Sequence, residues 1–212
     1  MSTNYLTVSG HNQAEYEISK SRFIAFVQRV HTETEAIEFI QKIKKEHWEA
    51  RHNCSAYIIG EHATYQKADD DGEPSGTAGK PILEVIKKND LKDVVIVVTR
   101  YFGGIKLGAG GLIRAYSKAA TLGIEASTVV SKVLYLQLKI IIDYSLLGTL
   151  ENNFRINEYL IENKIFTDKV SLTLLAKVGE EETVKNNIIN WTSSQCLLEE
   201  GNKVHLEIPI KK

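Results

Sequence analysis

Glycine is distributed unevenly along these 212 residues, and that distribution limits the folds open to the chain. Nine of its 14 glycines fall between Gly60 and Gly111, and after Gly123 only Gly148, Gly179 and Gly201 remain. Glycine carries the tight turns and close backbone approaches that other residues resist. A chain with so many in one stretch has two parts of different character, and the composition changes near Ser127–Lys132. This predicts two domains, residues 1–130 and 131–212, each near the usual size for an independent core.

The second part reads in the order β-α-β-β-α-β. Val133–Asp143 is rich in β-branched residues, and Ser145–Ile156 places Leu146, Leu147, Leu150 and Phe154 at helical spacing. Tyr159–Phe166 and Lys169–Val178 follow as strands, and in the second Val170, Leu172 and Leu174 alternate with polar residues. Glu180–Trp191 has acids in its first turn and Val184, Ile188 and Trp191 on one face, which predicts a helix. Lys203–Ile208 closes the set. This order is the ferredoxin-like arrangement, which by itself says nothing of function.

The first part is also α+β. Tyr16–Val30 predicts one long strand or a bent hairpin. Thr32–His47 predicts a helix capped by Thr32 or Thr34, with Ala36, Ile37, Ile40 and Ile43 inward. Asn53–Gly60, Thr64–Lys67 and Val94–Tyr101 read as strands, and Thr77–Lys88 and Gly111–Ser127 as helices. Trp48 and Trp191 end apolar helix faces and are expected in cores.

Two loops in this part carry candidate chemistry. The first, Asp69–Pro81, is DDDGEPSGTAGKP: Asp69, Asp70, Asp71 and Glu73, then Gly72, Ser75, Gly76, Thr77 and Lys80 leading into a helix. Ser75 or Thr77 is the expected cap, and the helix start is a natural seat for an anion. The second, Thr99–Lys118, is TRYFGGIKLGAGGLIRAYSK. It holds Arg100, Lys106, Arg114 and Lys118, with no acid anywhere between Val94 and Ile124. Tyr101 and Phe102 lie among the cations, and Gly103, Gly104, Gly108, Gly110 and Gly111 open the backbone. Basic side chains, aromatics and free backbone donors together suit phosphate or single-stranded nucleic acid. The bland alternative is that the acidic loop pairs with the basic one. Asp70, Asp71 and Glu73 also form a candidate Mg²⁺ site. His52-Asn53-Cys54 offers an imidazole and a thiol two residues apart on one strand face, a conceivable supporting set beside the simpler reading of a packed strand end.

Several classes are excluded or disfavoured. The P-loop pattern fails because prolines 74 and 81 occupy required positions, and the dinucleotide fingerprint fails at Ile113. A net charge of −1 gives no bulk attraction to nucleic acid or acidic membrane. Two cysteines, Cys54 and Cys196, make no disulfide framework. Met1–Gly10 lacks a signal-peptide pattern, and the apolar runs are too short for a bilayer, so the cytoplasm is the expected location.

The blocks KSRFIA (Lys20–Ala25), ARHNCSAYIIG (Ala50–Gly60), DDGEPSGTAGKPIL (Asp70–Leu83) and VIVVTRYFGGIKLGAGGLIRAYSKA (Val95–Ala119) resemble the IMPACT/YigZ family in its bacterial two-domain form. The resemblance implies an N-terminal domain like ribosomal protein S5 domain 2, as in domain IV of elongation factor G. It further implies a ferredoxin-like C-terminal domain similar to that factor's last domain. Eukaryotic relatives regulate translation by binding an activator of an initiation-factor kinase through a form with an added RWD domain, so that partner is not expected here. For bacterial members the resemblance implies nucleic-acid or ribosome contact.

The leading expectation is a non-enzymatic, translation-linked protein that binds RNA, the ribosome or a translation-related protein. In it Arg100, Lys106 and Arg114 meet phosphates and Tyr101 or Phe102 stacks; no cofactor is expected. One rival is a hydrolase or transferase on a small phosphorylated substrate, with a metal on Asp70, Asp71 and Glu73. Another is a protein-interaction module using an apolar patch of Tyr101, Phe102 and Ile105.

Overall fold

A computed structural model describes residues 4–210, in which the chain forms two compact units. The first comprises residues 4–132 with 208–210 returning to it, and the second Val133–Glu207.

The first unit is built on a five-stranded sheet in the order β2-β3-β6-β4-β5. These strands are β2 (His11–Ile18), β3 (Ser21–Arg29), β4 (His52–Ile59), β5 (Tyr65–Asp69) and β6 (Val94–Tyr101). The predicted long strand is a hairpin: Ile18 pairs with Ser21, and Ser19 and Lys20 both take positive φ, the two-residue turn that suits strand twist. At the centre, β6 is flanked by antiparallel β3 and β4, and its run Val94–Val98 is buried on both faces. Helix α1 (Glu33–Glu46) covers one face. Helices α2 (Gly79–Lys88) and α3 (Gly108–Glu125) cover the other.

The period of two decides which face each β6 residue serves. Val95 and Val97 point into the core under α1, while Val94, Ile96 and Val98 point toward α2 and α3. Arg100 continues the second set and Tyr101 the first, which fixes the character of the site below.

Thr32 caps α1 by accepting from the Glu35 amide at 3.2 Å, as expected. Ile37 is not inward: it is 47% exposed, and Phe39 takes the core position instead. The helical wheel explains the exchange, since Ala36, Phe39, Ile40 and Ile43 share a face that Ile37 leaves by about 100°. Trp48, expected in a core, is 76% exposed beyond the end of α1. One strand, β1 (Tyr5–Ser9), was not anticipated; it pairs antiparallel with Thr128–Lys132, the start of β7 (Thr128–Ile142).

The second unit contains the rest of β7, α4 (Tyr144–Ile156), β8 (Leu160–Phe166), β9 (Val170–Lys177), α5 (Glu181–Trp191) and, as far as Glu207, β10 (Leu197–Pro209). Its strands lie in the order β10-β7-β9-β8, so the first strand of the β-α-β-β-α-β series sits between the fourth and the third. That is the ferredoxin-like topology expected. Leu138, Ile140, Leu172 and Leu174 form the sheet side of its core, against Leu150 and Phe154 of α4 and Val184 and Ile188 of α5. Trp191 packs edge-on against Phe154, with ring centroids 6.1 Å apart.

Candidate functional site

The site lies in the first unit, where three adjacent strands end together. Strand register sets Phe23 and His52 on either side of Arg100. The Arg100 guanidinium lies over the Phe23 ring at 5.5 Å and the Phe102 ring at 5.4 Å, held between two aromatic faces. Its Nη1 donates to Glu73 Oε1 at 2.6 Å, and the Tyr116 hydroxyl donates to the same oxygen at 2.8 Å. Both partners of the pair are buried, with side-chain exposures of 7% for Arg100 and 4% for Glu73. Among the described residues Arg100 Nε has no hydrogen-bond partner although it is buried. A buried guanidinium N–H without an acceptor is uncommon and calls for an explanation.

The acidic loop folds back on its own backbone. Asp70 accepts from the amides of Gly76 (2.7 Å), Gly79 (2.8 Å) and Ala78 (3.0 Å). Burial pushes its carboxyl upward, but these three amides outweigh it and hold the group below the usual carboxylate range. Asp71 accepts from Lys44 Nζ and from the Asn53 amide, both at 2.7 Å, and its carbonyl lies 2.8 Å from His52 Nδ1. That contact requires His52 to donate from Nδ1, so the neutral ring carries its lone pair on Nε2. Asn53 is spent on structure: its Oδ1 accepts from the Thr99 hydroxyl at 2.7 Å.

A cleft of about 340 Å³ opens beside the ion pair. It is lined by Arg51, His52, Glu73, Pro74 and Arg100 from the strand ends and the acidic loop, and by Phe102, Lys106, Leu107, Gly108, Ala109 and Leu112 from the basic loop and α3. Three cations therefore face one carboxylate. Among the described residues Arg51 and Lys106 form no ion pair, unlike Arg100. The start of α3 enters the same cleft through Gly108 and Ala109, and no side chain caps it. The 18-residue helix thus turns its positive end and free amides toward the space.

Residues 19–124 match the family model of the Impact N-terminal domain, and residues 140–195 match a domain of unknown function, DUF1949. The IMPACT family member YvyE of Bacillus subtilis is 48% identical over 204 residues, which is 96% of this chain and 94% of that protein. The chain belongs to the IMPACT family. The family member YigZ of Escherichia coli is 43% identical over 102 residues, covering 47% of this chain and 50% of YigZ. A crystal structure described as a hypothetical protein covers 93% of this chain and 97% of its own at 27% identity, with a TM-score of 0.61.

The IMPACT signature blocks do not all serve one site. Arg100, Phe102, Lys106 and Gly108 of the basic loop reach the cleft, as do His52 and Glu73. Tyr101 does not: it faces the α1 side, and its hydroxyl lies 2.8 Å from His47 Nδ1. Arg114 is exposed on α3 beside Gly110 and, like Gly111, does not line the cleft. Helix α3 begins at Gly108, one turn earlier than the expected Gly111, which places Gly110 and Gly111 within its first turn. Gly103 is needed for a crossing: an added Cβ would sit 2.0 Å from the Lys20 carbonyl group on the β2–β3 turn. Gly104 takes φ +86°, and Ser75 and Lys80 are exposed.

Three expectations about the acidic loop are corrected. Neither Ser75 nor Thr77 caps α2; the Thr77 hydroxyl donates to the Pro74 carbonyl at 2.6 Å, and Asp70 does the capping. The anion seat at that helix start is therefore filled by the chain's own carboxylate, and the open seat is at α3. The proposed metal set fails because Asp70, Asp71 and Glu73 each turn to a different partner. Among the described residues no cluster of three His, Cys, Asp or Glu side chains can hold a metal ion.

The thiol reading fails as well. Cys54 is buried, its Sγ lies 3.0 Å from the Asp70 carbonyl, and burial first, then the nearby carboxylates, push its thiol far above the ordinary range. A thiol held protonated is a poor nucleophile. Sequence reasoning missed Arg51 and the structural part played by Phe23. Arg51 adjoins His52 within the ARHNCS block, so the available signal was a cation just ahead of the predicted strand Asn53–Gly60.

Proposed function

We propose that this protein is a non-enzymatic, translation-linked RNA-binding protein, and that it takes RNA phosphate into the cleft between the strand ends and the start of α3. One observation carries the reading. Two uncommitted cations, Arg51 and Lys106, line one cleft together with an uncapped helix N-terminus and a buried guanidinium whose Nε is unpartnered. An anion is the ligand that suits the two free cations and the helix start together. Phe102, 46% exposed at the rim, offers a face on which a base can stack. The link to translation comes from membership of the IMPACT family and from the role its eukaryotic members are expected to share.

The enzymatic alternative has less support, because the acids are committed and Cys54 is held as a thiol. The interaction-module alternative retains only Phe102 and Ile105 of its three residues, since Tyr101 is turned to His47.

Arg51 and Lys106, not Arg100, are the residues to change, because removing Arg100 leaves Glu73 buried and alone. Arg51→Ala with Lys106→Ala should weaken RNA binding and flatten the slope of log K against log salt by about two, one for each lost phosphate contact. Fluorescence anisotropy across a salt series measures this. Absence of salt-sensitive affinity for any RNA tested removes the proposal.

A further inference from the structure

The balance of charge in this cleft suits one kind of phosphate better than another. Arg51, Arg100 and Lys106 against Glu73 leave two positive charges uncancelled, and the α3 N-terminus adds about half a charge more. An internal phosphodiester brings a single negative charge. A phosphomonoester brings about −1.5 to −2 at neutral pH, with three oxygens to accept hydrogen bonds. The donors converge on one small cavity, whereas tracking an extended strand needs a groove of cations. Its volume is near the lower end for small-ligand pockets, suited to one nucleotide unit. Glu73 adds selectivity: it fixes the plane of the Arg100 guanidinium, and its charge is overcome more readily by a ligand that engages both free cations at once.

We infer that the cleft is a phosphomonoester site, which receives the terminal phosphate of an RNA chain while the terminal nucleotide lies against Phe102. The phosphate sits between Arg51 and Lys106 at the α3 amides, in the cleft that Arg100 also lines. This rests on the RNA-binding reading above and narrows it from backbone contact in general to a chain end. Both ends of an RNA can carry such a group, and the chemistry recognised is the same.

The test uses the full chain and one short RNA, labelled internally, prepared with a 5′-phosphate, with a 3′-phosphate, or with hydroxyls at both ends. Anisotropy titrations should show one phosphorylated form binding at least tenfold tighter than the hydroxyl form. AMP should displace it and adenosine should not. In the Arg51→Ala/Lys106→Ala protein, whose folding is checked by circular dichroism, the preference should vanish. If all three RNAs bind with equal, salt-sensitive affinity, the end-recognition inference is overturned while RNA binding stands. If none binds, both fall. A preference that survives intact in the double variant places the end elsewhere and also overturns the inference.

Discussion

Removing one member of the buried Arg100–Glu73 pair should cost far more than removing both. At 2.6 Å and an effective dielectric of about 20, the Coulomb attraction is roughly 6 kcal/mol. Desolvation of each ion offsets much of that, so the pair contributes little net stability, yet breaking it strands a charge. Glu73→Leu or Arg100→Met alone should therefore destabilise the first unit by about 3–5 kcal/mol. The double variant should lose only about 1–3 kcal/mol, chiefly because the Tyr116 hydroxyl forfeits its carboxylate acceptor. Hydrogen exchange of β6 amides, read by mass spectrometry, reports the opening free energy of this unit separately from the other. Single-variant effects that add within about 0.5 kcal/mol in the double variant would refute the reasoning. So would a single variant as stable as the parent.

Other outcomes follow from the same geometry. Asp70→Ala should destabilise α2 by about 1–2 kcal/mol at pH 7, as loss of a helix cap does. Because the Asp70 carboxyl is depressed in the fold, its contribution is present above the ordinary carboxylate range and fades as pH falls through the folded value; the variant's deficit in urea midpoint should shrink below about pH 4. Gly103→Ala should cost about 1–3 kcal/mol by forcing the β2–β3 turn away, visible as a lowered thermal midpoint. In the native protein Cys54 should react with a thiol reagent at least tenfold more slowly than the half-buried Cys196, and the two should react alike in denaturant.

Much of the fold was legible because it depends on local pattern. The alternation of Val170, Leu172 and Leu174, the run Val94–Val98 and the Thr32–Glu35 cap each state their structure within a few residues. Strand β1 was not legible: five residues of mixed polarity become a strand only when Thr128–Lys132 arrives as a partner. Trp48 misled because an aromatic at the end of an apolar helical face looks like core, and only the path of the chain beyond α1 turns it outward.

The two glycine-rich loops show the same division. From the residues alone came their existence, their opposite charges and the expectation that a helix start offers an anion seat. Which seat is open depended on how each loop folds back on the helix that follows it. Asp70 reaches the amides of α2 and closes the first, while Leu107 offers no capping side chain and leaves the start of α3 free. The choice between Arg100 and Tyr101 was tertiary. Adjacent strand residues face opposite ways, and only the placement of α1 on one face and α3 on the other sends Arg100 to the cleft and Tyr101 away from it. Sequence set the chemistry each loop can offer; long-range packing decided which groups neutralise one another and which remain available to a ligand.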